Sequence, residues 1–224
     1  MSCRNKSLAF ALLIGGKSTR FGSDKGIFNF RGKTLIDYQL ETLFPLNYDI
    51  FLVANSTEQV QSYITKIDFK KIMGFIIDDN SFIQDQETRL PLIGLYSAFK
   101  ELKQLKYEKV FILPCDVPLI KHEVIEFLIK QCNIFDCCIP KWEGGSYLEP
   151  LFAIYNVNKA YENSLKNLRQ KKYKLTKIIS QDWKTNYISI EKDIIKLDPS
   201  LLSFKNINKL EDINMLEITL NKIK

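Results

Sequence analysis

Histidine is nearly missing from this 224-residue chain, with His122 the only one, and the five cysteines (Cys3, Cys115, Cys132, Cys137, Cys138) form no C-x-x-C pair. A zinc site therefore has little to be built from, and reduced thiols in a cytosolic, cytoplasmic setting are the expected state. No apolar stretch approaches the ~20 residues that would cross a bilayer, so no transmembrane segment is expected. Arg4 and Lys6 ahead of the apolar run Leu8 to Ile14 imitate a signal peptide. That run is too short and has no small-residue cleavage site; a buried first strand ending in Gly-Gly accounts for it. Internal repeats, low-complexity linkers and composition breaks are also lacking, which predicts a single domain over residues 1–224.

What is present is ordinary for a globular enzyme: 46% hydrophobic and 26% charged residues. The net charge of +6 suits an anionic ligand, yet the lysines are spread along the whole length and read as solvated surface. Neither nucleic acid nor membrane is an expected partner.

Strand-length apolar runs alternate with amphipathic segments, the pattern of βαβ units and a mostly parallel sheet. LAFALLI (8–14), DIFLVAN (49–55), MGFIIDD (73–79) and KVFILP (109–114) read as strands. Between them lie helices over 34–44, stopped by Pro45, over EQVQSYITKI behind an N-capping Ser56, and over 91–105 with Pro91 in the first turn. Beyond Asp116 the pattern predicts a helix from Lys121, a short strand near Cys137 to Pro140, a turn at Gly144-Gly145 and a strand in LEPLFAIY of undetermined direction. The C-terminal third mixes both element types and is expected to wrap the same sheet. The polar loop Asn80 to Leu90 is either a lid or a variable surface loop.

The first strand runs into Gly15-Gly16-Lys17-Ser18-Thr19-Arg20-Phe21-Gly22-Ser23-Asp24-Lys25. In open α/β sheets the carboxyl edge is where ligands bind. Glycines there let backbone N–H groups approach phosphate oxygens, while Lys17, Arg20 and Lys25 offset the charge. Gly16-Lys17-Ser18 looks like the end of a P-loop, but that motif needs a glycine where the strand has Ala11, and no G-x-G-x-x-G follows the strand either. A different triphosphate cradle remains. Asp116, ending a strand in Cys-Asp-x-Pro, is either a Mg²⁺ ligand at the ligand edge or a helix N-cap. Asp78 and Asp79 end another strand, as a site pair or a solvated turn. Asn55 is placed to read a base by hydrogen bonds or to cap a turn.

LIGGKSTRFGSDK (13–25) resembles the L-A-G-G-x-S-x-R-M-G-x-D-K signature of molybdenum cofactor guanylyltransferases, with Ile14 and Phe21 as departures. PLIGLYSAF (91–99), PCDVPLI (114–120), EPLFAIY (149–155) and NINKLEDI (206–213) are similar to the family's later motifs in the same order, so the resemblance covers nearly the whole chain. Leu90 stands where the family has glycine.

The resemblance implies a Rossmann-like sheet with helices on both faces, of the nucleotide-diphospho-sugar transferase type. It implies Mg²⁺-dependent transfer of GMP from GTP to the terminal phosphate of molybdenum-loaded molybdopterin, with release of pyrophosphate. Alternatives are a cytidylyl or sugar-phosphate nucleotidyltransferase of the same superfamily, or a non-catalytic nucleotide-binding carrier; molybdoenzyme chaperones or apo-enzymes are possible partners. It implies phosphate contacts for Lys25, a nucleotide site including Leu13, Ile14, Gly15 and Gly16, and one of Asp78 and Asp79 in that site, with Asp79 preferred. Asn206 and Asn208 fall near the active site and Glu149 on the acceptor side. Arg20 is placed to neutralise the leaving group, and Asp116 to hold the metal. Cys115 reads as a small buried residue, Cys137-Cys138 as strand core and His122 as a surface residue at a helix start.

Overall fold

The computed structural model describes residues 6–15, 24–82, 90–145 and 147–222. Its chain order is β1 (Leu8–Leu13), the hairpin β2 (Asn29–Phe30) and β3 (Lys33–Thr34), α1 (Leu35–Leu43), β4 (Asp49–Ala54), α2 (Thr57–Ile64), β5 (Gly74–Ile77), α3 (Pro91–Gln104), β6 (Lys109–Pro114), α4 (His122–Gln131), β7 (Cys137–Lys141), β8 (Ala153–Asn156), α5 (Val157–Arg169), β9 (Thr185–Ser189) and α6 (Leu210–Lys222).

Seven strands form one sheet in the order β5-β4-β1-β6-β8-β7-β9. The first four are mutually parallel. β8 is antiparallel to both β6 and β7, and β9 is parallel to β7, so β8 alone runs against the others. The segment from β7 to β8 is too short for a crossover helix, and a chain that returns directly must return antiparallel. Only Ala153 to Tyr155 of LEPLFAIY lie in the strand: the Phe152 N–H bonds to the Glu149 carbonyl at 2.9 Å, so residues 149–152 turn before β8 begins.

The central strands are apolar throughout because helices cover both faces. In β1 the alternation sorts side chains by size: Leu8, Phe10 and Leu12 pack with α1, α2 and α4 residues such as Ile36, Leu40, Tyr63 and Leu128. Ala9 and Ala11 face Leu92, Leu95 and Phe99 of α3, with α5 beyond it. Helix starts follow local chemistry. Thr34 and Asp37 make a reciprocal capping box on α1, and the Ser56 hydroxyl accepts from Gln59 N at 3.3 Å on α2.

The β2–β3 hairpin, which the sequence pattern did not reveal, turns through Arg31 and Gly32, both at positive φ (52° and 82°), as a type I′ two-residue turn requires. Its Phe30 packs with Leu35 and Ile207, and the Arg31 guanidinium donates to Asn221 Oδ1 at 2.7 Å. The hairpin thus anchors the C-terminal helix. Cys137 and Cys138 are strand core, as read, and His122 opens α4 at the surface with Glu126 3.6 Å away. Among the described residues no helix is long and apolar enough to cross a membrane.

Phe111 sits fully buried on central β6 between Phe10 and Phe152, with ring centroids 5.8 and 5.6 Å away. Phe111→Ala is expected to cost about 3–5 kcal/mol, read as a lower urea midpoint with unchanged slope.

Candidate active site

The parallel strands β1, β4, β5 and β6 all deliver their carboxyl ends to one edge. The chain steps outward from β1 through β4 to β5, then returns to β6 on the other side of β1, which opens a crevice at that edge. Backbone bonds hold the strand ends past the last ladder residues. Ile14 and Gly15 N–H groups donate to the Val53 carbonyl at 3.0 and 3.2 Å, Cys115 N–H to Leu13 O at 3.2 Å, and Asp78 N–H to Ala54 O at 2.9 Å. Leu13, Ile14, Gly15, Asn55, Asp78 and Asp116 therefore line one rim. Gly16, Lys17 and Arg20, and residues 83–89 of the polar loop, lie outside the described residues.

Asp116 is the electrostatic centre of that rim. Burial raises its pKa above the ordinary carboxylate value, against the pull of the nearby Lys25 ammonium. Lys25 Nζ stands 3.6 Å from Asp116 Oδ2, in side chains only 13% and 23% exposed. The other oxygen, Oδ1, is buried with no hydrogen-bond partner among the described residues. Asp116 caps no helix, because α4 begins only at His122. Its loop is held from α1, where the fully buried Gln39 donates through Nε2 to the Pro114 and Val117 carbonyls at 2.8 and 2.9 Å.

The late asparagine motif arrives at the same place from the far end of the sequence. Ile207 N–H donates to the Asp116 carbonyl at 2.8 Å, and Lys25 Nζ donates to Asn208 Oδ1 at 3.0 Å. Lys121 N–H donates to Ser203 Oγ at 3.0 Å, fixing the preceding segment. Asn208 thus meets Lys25 directly, while Asn206 is exposed beside Ile207.

The two strand-end aspartates differ. Asp79, the preferred member of the pair, is committed to α3: its carboxylate pairs with Lys100 at 2.7 Å and accepts from Ser81 N–H, and its own N–H donates to Ser97 Oγ at 2.8 Å. The Lys100 bond, with Ser81, holds its carboxyl below the usual range. Asp78 faces the first turns of the same helix, near the end of β1. Its Oδ1 lies 3.4 Å from where a Cβ on Gly94 would stand, and Leu13 Cδ2 lies 3.5 Å from that point. Both carboxylates thus lie on the α3 side, Asp78 against Gly94 in its first turns and Asp79 against Lys100 farther along.

Asn55 lies against the rim glycine, its Cβ 3.4 Å from the position of a Cβ on Gly15, and the helix cap of α2 is Ser56 rather than Asn55. Glu149 is raised by burial and by the charge of Asp116, and accepts from Trp142 Nε1 at 2.7 Å. Cys115 is pushed up to about 12 by burial and keeps its proton at neutral pH, so it offers no thiolate.

Asp24, Gln39, Gln59, Tyr63 and Trp142 also shape the site, yet none was singled out from the sequence. Gln39, Gln59 and Tyr63 sit on short amphipathic helices, where a polar residue looks the same whether it faces solvent or staples a loop.

A family model described as the MobA-like NTP transferase domain matches residues 10–185. A protein of Pyrococcus horikoshii named "Probable molybdenum cofactor guanylyltransferase" is 32% identical over 212 residues, covering 93% of this chain and 98% of its own. The crystal structure of molybdopterin-guanine dinucleotide biosynthesis protein A from Archaeoglobus fulgidus superposes with a TM-score of 0.73 at 25% identity, covering 96% of this chain and 99% of that one. A 4-diphosphocytidyl-2C-methyl-D-erythritol synthase from Anaerococcus prevotii shares the fold, with a TM-score of 0.65 at 13% identity, covering 96% and 98%.

The raised pKa of Asp116 has a consequence for stability. A carboxyl that holds its proton more tightly when folded loses stability as pH rises from its unfolded value, near 3.8, through the raised one, and carries the penalty above it. Asp116→Asn is therefore expected to melt at or above the wild-type temperature at pH 7 without ligand, an advantage that vanishes below pH 3.8. A variant that melts well below wild type at pH 7 contradicts this.

Proposed function

The chain belongs to the MobA-like NTP transferase domain family, and from that premise we propose that it transfers GMP from GTP to the terminal phosphate of molybdenum-loaded molybdopterin, releasing pyrophosphate. The carrying observation is the convergence of Lys25, Asp116 and Asn208 at the carboxyl edge of β1 and β6, from three distant parts of the sequence. The names of its relatives support the guanine nucleotide and the acceptor. The unpaired thiols of Cys115, Cys132, Cys137 and Cys138 support a cytoplasmic site of action.

The residues present fit Mg²⁺. Among the described residues no group of three metal-ligating side chains occurs, but Mg²⁺ on a triphosphate needs only one or two carboxylates beyond its waters and phosphate oxygens. Asp116, with a buried and unbonded Oδ1, is such a carboxylate. When bound, the ion would offset charge on the phosphate oxygens.

An oxygen of the acceptor's terminal phosphate forms a bond to the α-phosphorus of GTP, while the bond from that phosphorus to the bridging oxygen breaks and its electron pair leaves with pyrophosphate. A phosphate nucleophile is already ionised near neutral pH, so no general base is required, which suits a chain with one surface histidine. The work left to the chain is positioning and charge stabilisation. Lys25 meets the charge on the phosphates, joined by Arg20 on the leaving group. Asn208 keeps the Lys25 ammonium turned toward Asp116. Leu13, Ile14 and Gly15 receive base and ribose, joined by their sequence neighbour Gly16, with Asn55 on the base edge and one of Asp78 and Asp79 in the site after β5. Glu149 and the indole of Trp142 wall the acceptor side, with Asn206 nearby.

Pyrophosphate release with Mg²⁺, molybdate-loaded molybdopterin and GTP, CTP or ATP in parallel tests the reading. GTP-selective turnover is expected, falling about 10²–10³-fold in Lys25→Ala and at least as far in Asp116→Ala. CTP selectivity moves the chain to cytidylyl transfer, and tight GTP binding without turnover points to a carrier.

A further inference from the structure

Helix α2 carries two polar side chains one turn apart that reach into the site rather than into solvent. Gln59 and Tyr63 are 8% and 0% exposed. The Tyr63 hydroxyl donates to Asp24 Oδ1 at 2.7 Å, an oxygen that also accepts from Gly26 N–H at 3.1 Å. Gln59 Nε2 donates to Asp24 Oδ2 and to the Ile14 carbonyl, while Gln59 Oε1 accepts from Asn55 N–H. One glutamine therefore joins the end of β1, the end of β4 and the exit of the glycine-rich loop. The Tyr63 hydroxyl also fills the space above Gly26: a Cβ there would stand 2.1 Å from it. The turn and the tyrosine are fitted to each other.

Asp24 is the immediate neighbour of Lys25. A carboxylate left loose beside that ammonium would compete for it with the triphosphate. Here both Asp24 oxygens are taken, by Tyr63 and Gln59 of α2 and by the Gly26 N–H, and the Lys25 ammonium meets Asp116 and Asn208. We infer that Gln59 and Tyr63 are positioning residues that act through Asp24, keeping its carboxylate off Lys25 and so leaving the Lys25 ammonium directed at the nucleotide phosphates. The inference rests on the reading of Lys25 as a phosphate contact. Gln59, by its bonds to Ile14 and Asn55, also couples the phosphate side of the pocket to the base side.

The test is a double-mutant cycle on the affinity of the full chain for Mg²⁺·GTP, measured by calorimetry in wild type, Tyr63→Phe, Lys25→Ala and the double variant. Tyr63→Phe deletes only the hydroxyl and keeps the ring in the core. It is expected to weaken binding about tenfold in the wild-type background, the worth of one hydrogen bond to a charged group. In the Lys25→Ala background the same change is expected to cost less than about twofold, because its effect runs through Lys25. Equal factors in the two backgrounds, or no effect in either, overturn the proposal, since a merely structural tyrosine would weaken both alike. Gln59→Met run through the same cycle reaches Asp24 from its other oxygen and keeps the test decisive if Tyr63→Phe does not fold. Repeating the cycle with CTP and ATP separates the two readings. Base preference reports on the proposed guanylyl transfer, whereas the ratio of factors with whichever nucleotide binds best reports on the clamp.

Discussion

A carboxylate taken out of water must be compensated, and Asp116 is compensated only in part. Its burial raises the pKa, Lys25 approaches one oxygen, and the other oxygen is left without a partner among the described residues. Leaving a buried charge so poorly satisfied costs stability unless a ligand completes it. The surrounding structure is arranged to hold that incomplete site still. Gln39 fixes the loop from α1, the Ile207 N–H takes the Asp116 carbonyl, and the hairpin at Arg31-Gly32 anchors the helix that follows Ile207.

The sheet explains why residues so far apart in sequence meet. Four parallel strands end at one edge, and backbone bonds carry their ends into the rim. Rigid strand ends suit a reaction in which the chain supplies placement and charge rather than a covalent or acid–base group. The Gln59–Tyr63–Asp24 network extends the same logic to Lys25. A flexible cation is useful only if its nearest anion is occupied elsewhere.

The parallel half was legible in the sequence because its strands are continuous apolar runs and its helices carry recognisable starts: KVFILP became β6 residue for residue, and Ser56 caps α2. The β2–β3 hairpin was not, since two-residue strands carry no periodicity and Arg31 is an unusual occupant of a positive-φ position. In LEPLFAIY the apolar pattern runs through Pro150 and overstated the strand, because pattern alone does not show where the chain bends. For the site, Asp116 and Lys25 could be picked out as candidates from residue chemistry, whereas the resemblance implied only that Asn208 falls near them, and its bond to Lys25 follows from the fold. The partners of Asp78 and Asp79 are set by where each meets α3, at Gly94 or at Lys100, and strand periodicity does not show that.

The central claim is that the free oxygen of Asp116 is the protein's handle on a cation carried by the nucleotide. Anomalous diffraction from crystals grown with Mn²⁺ and a non-hydrolysable GTP analogue addresses it most directly. The account predicts a strong peak at the Asp116 carboxylate, beside the bound triphosphate and close to Lys25. A peak held by other residues, or a triphosphate bound with its cation away from Asp116, would contradict it.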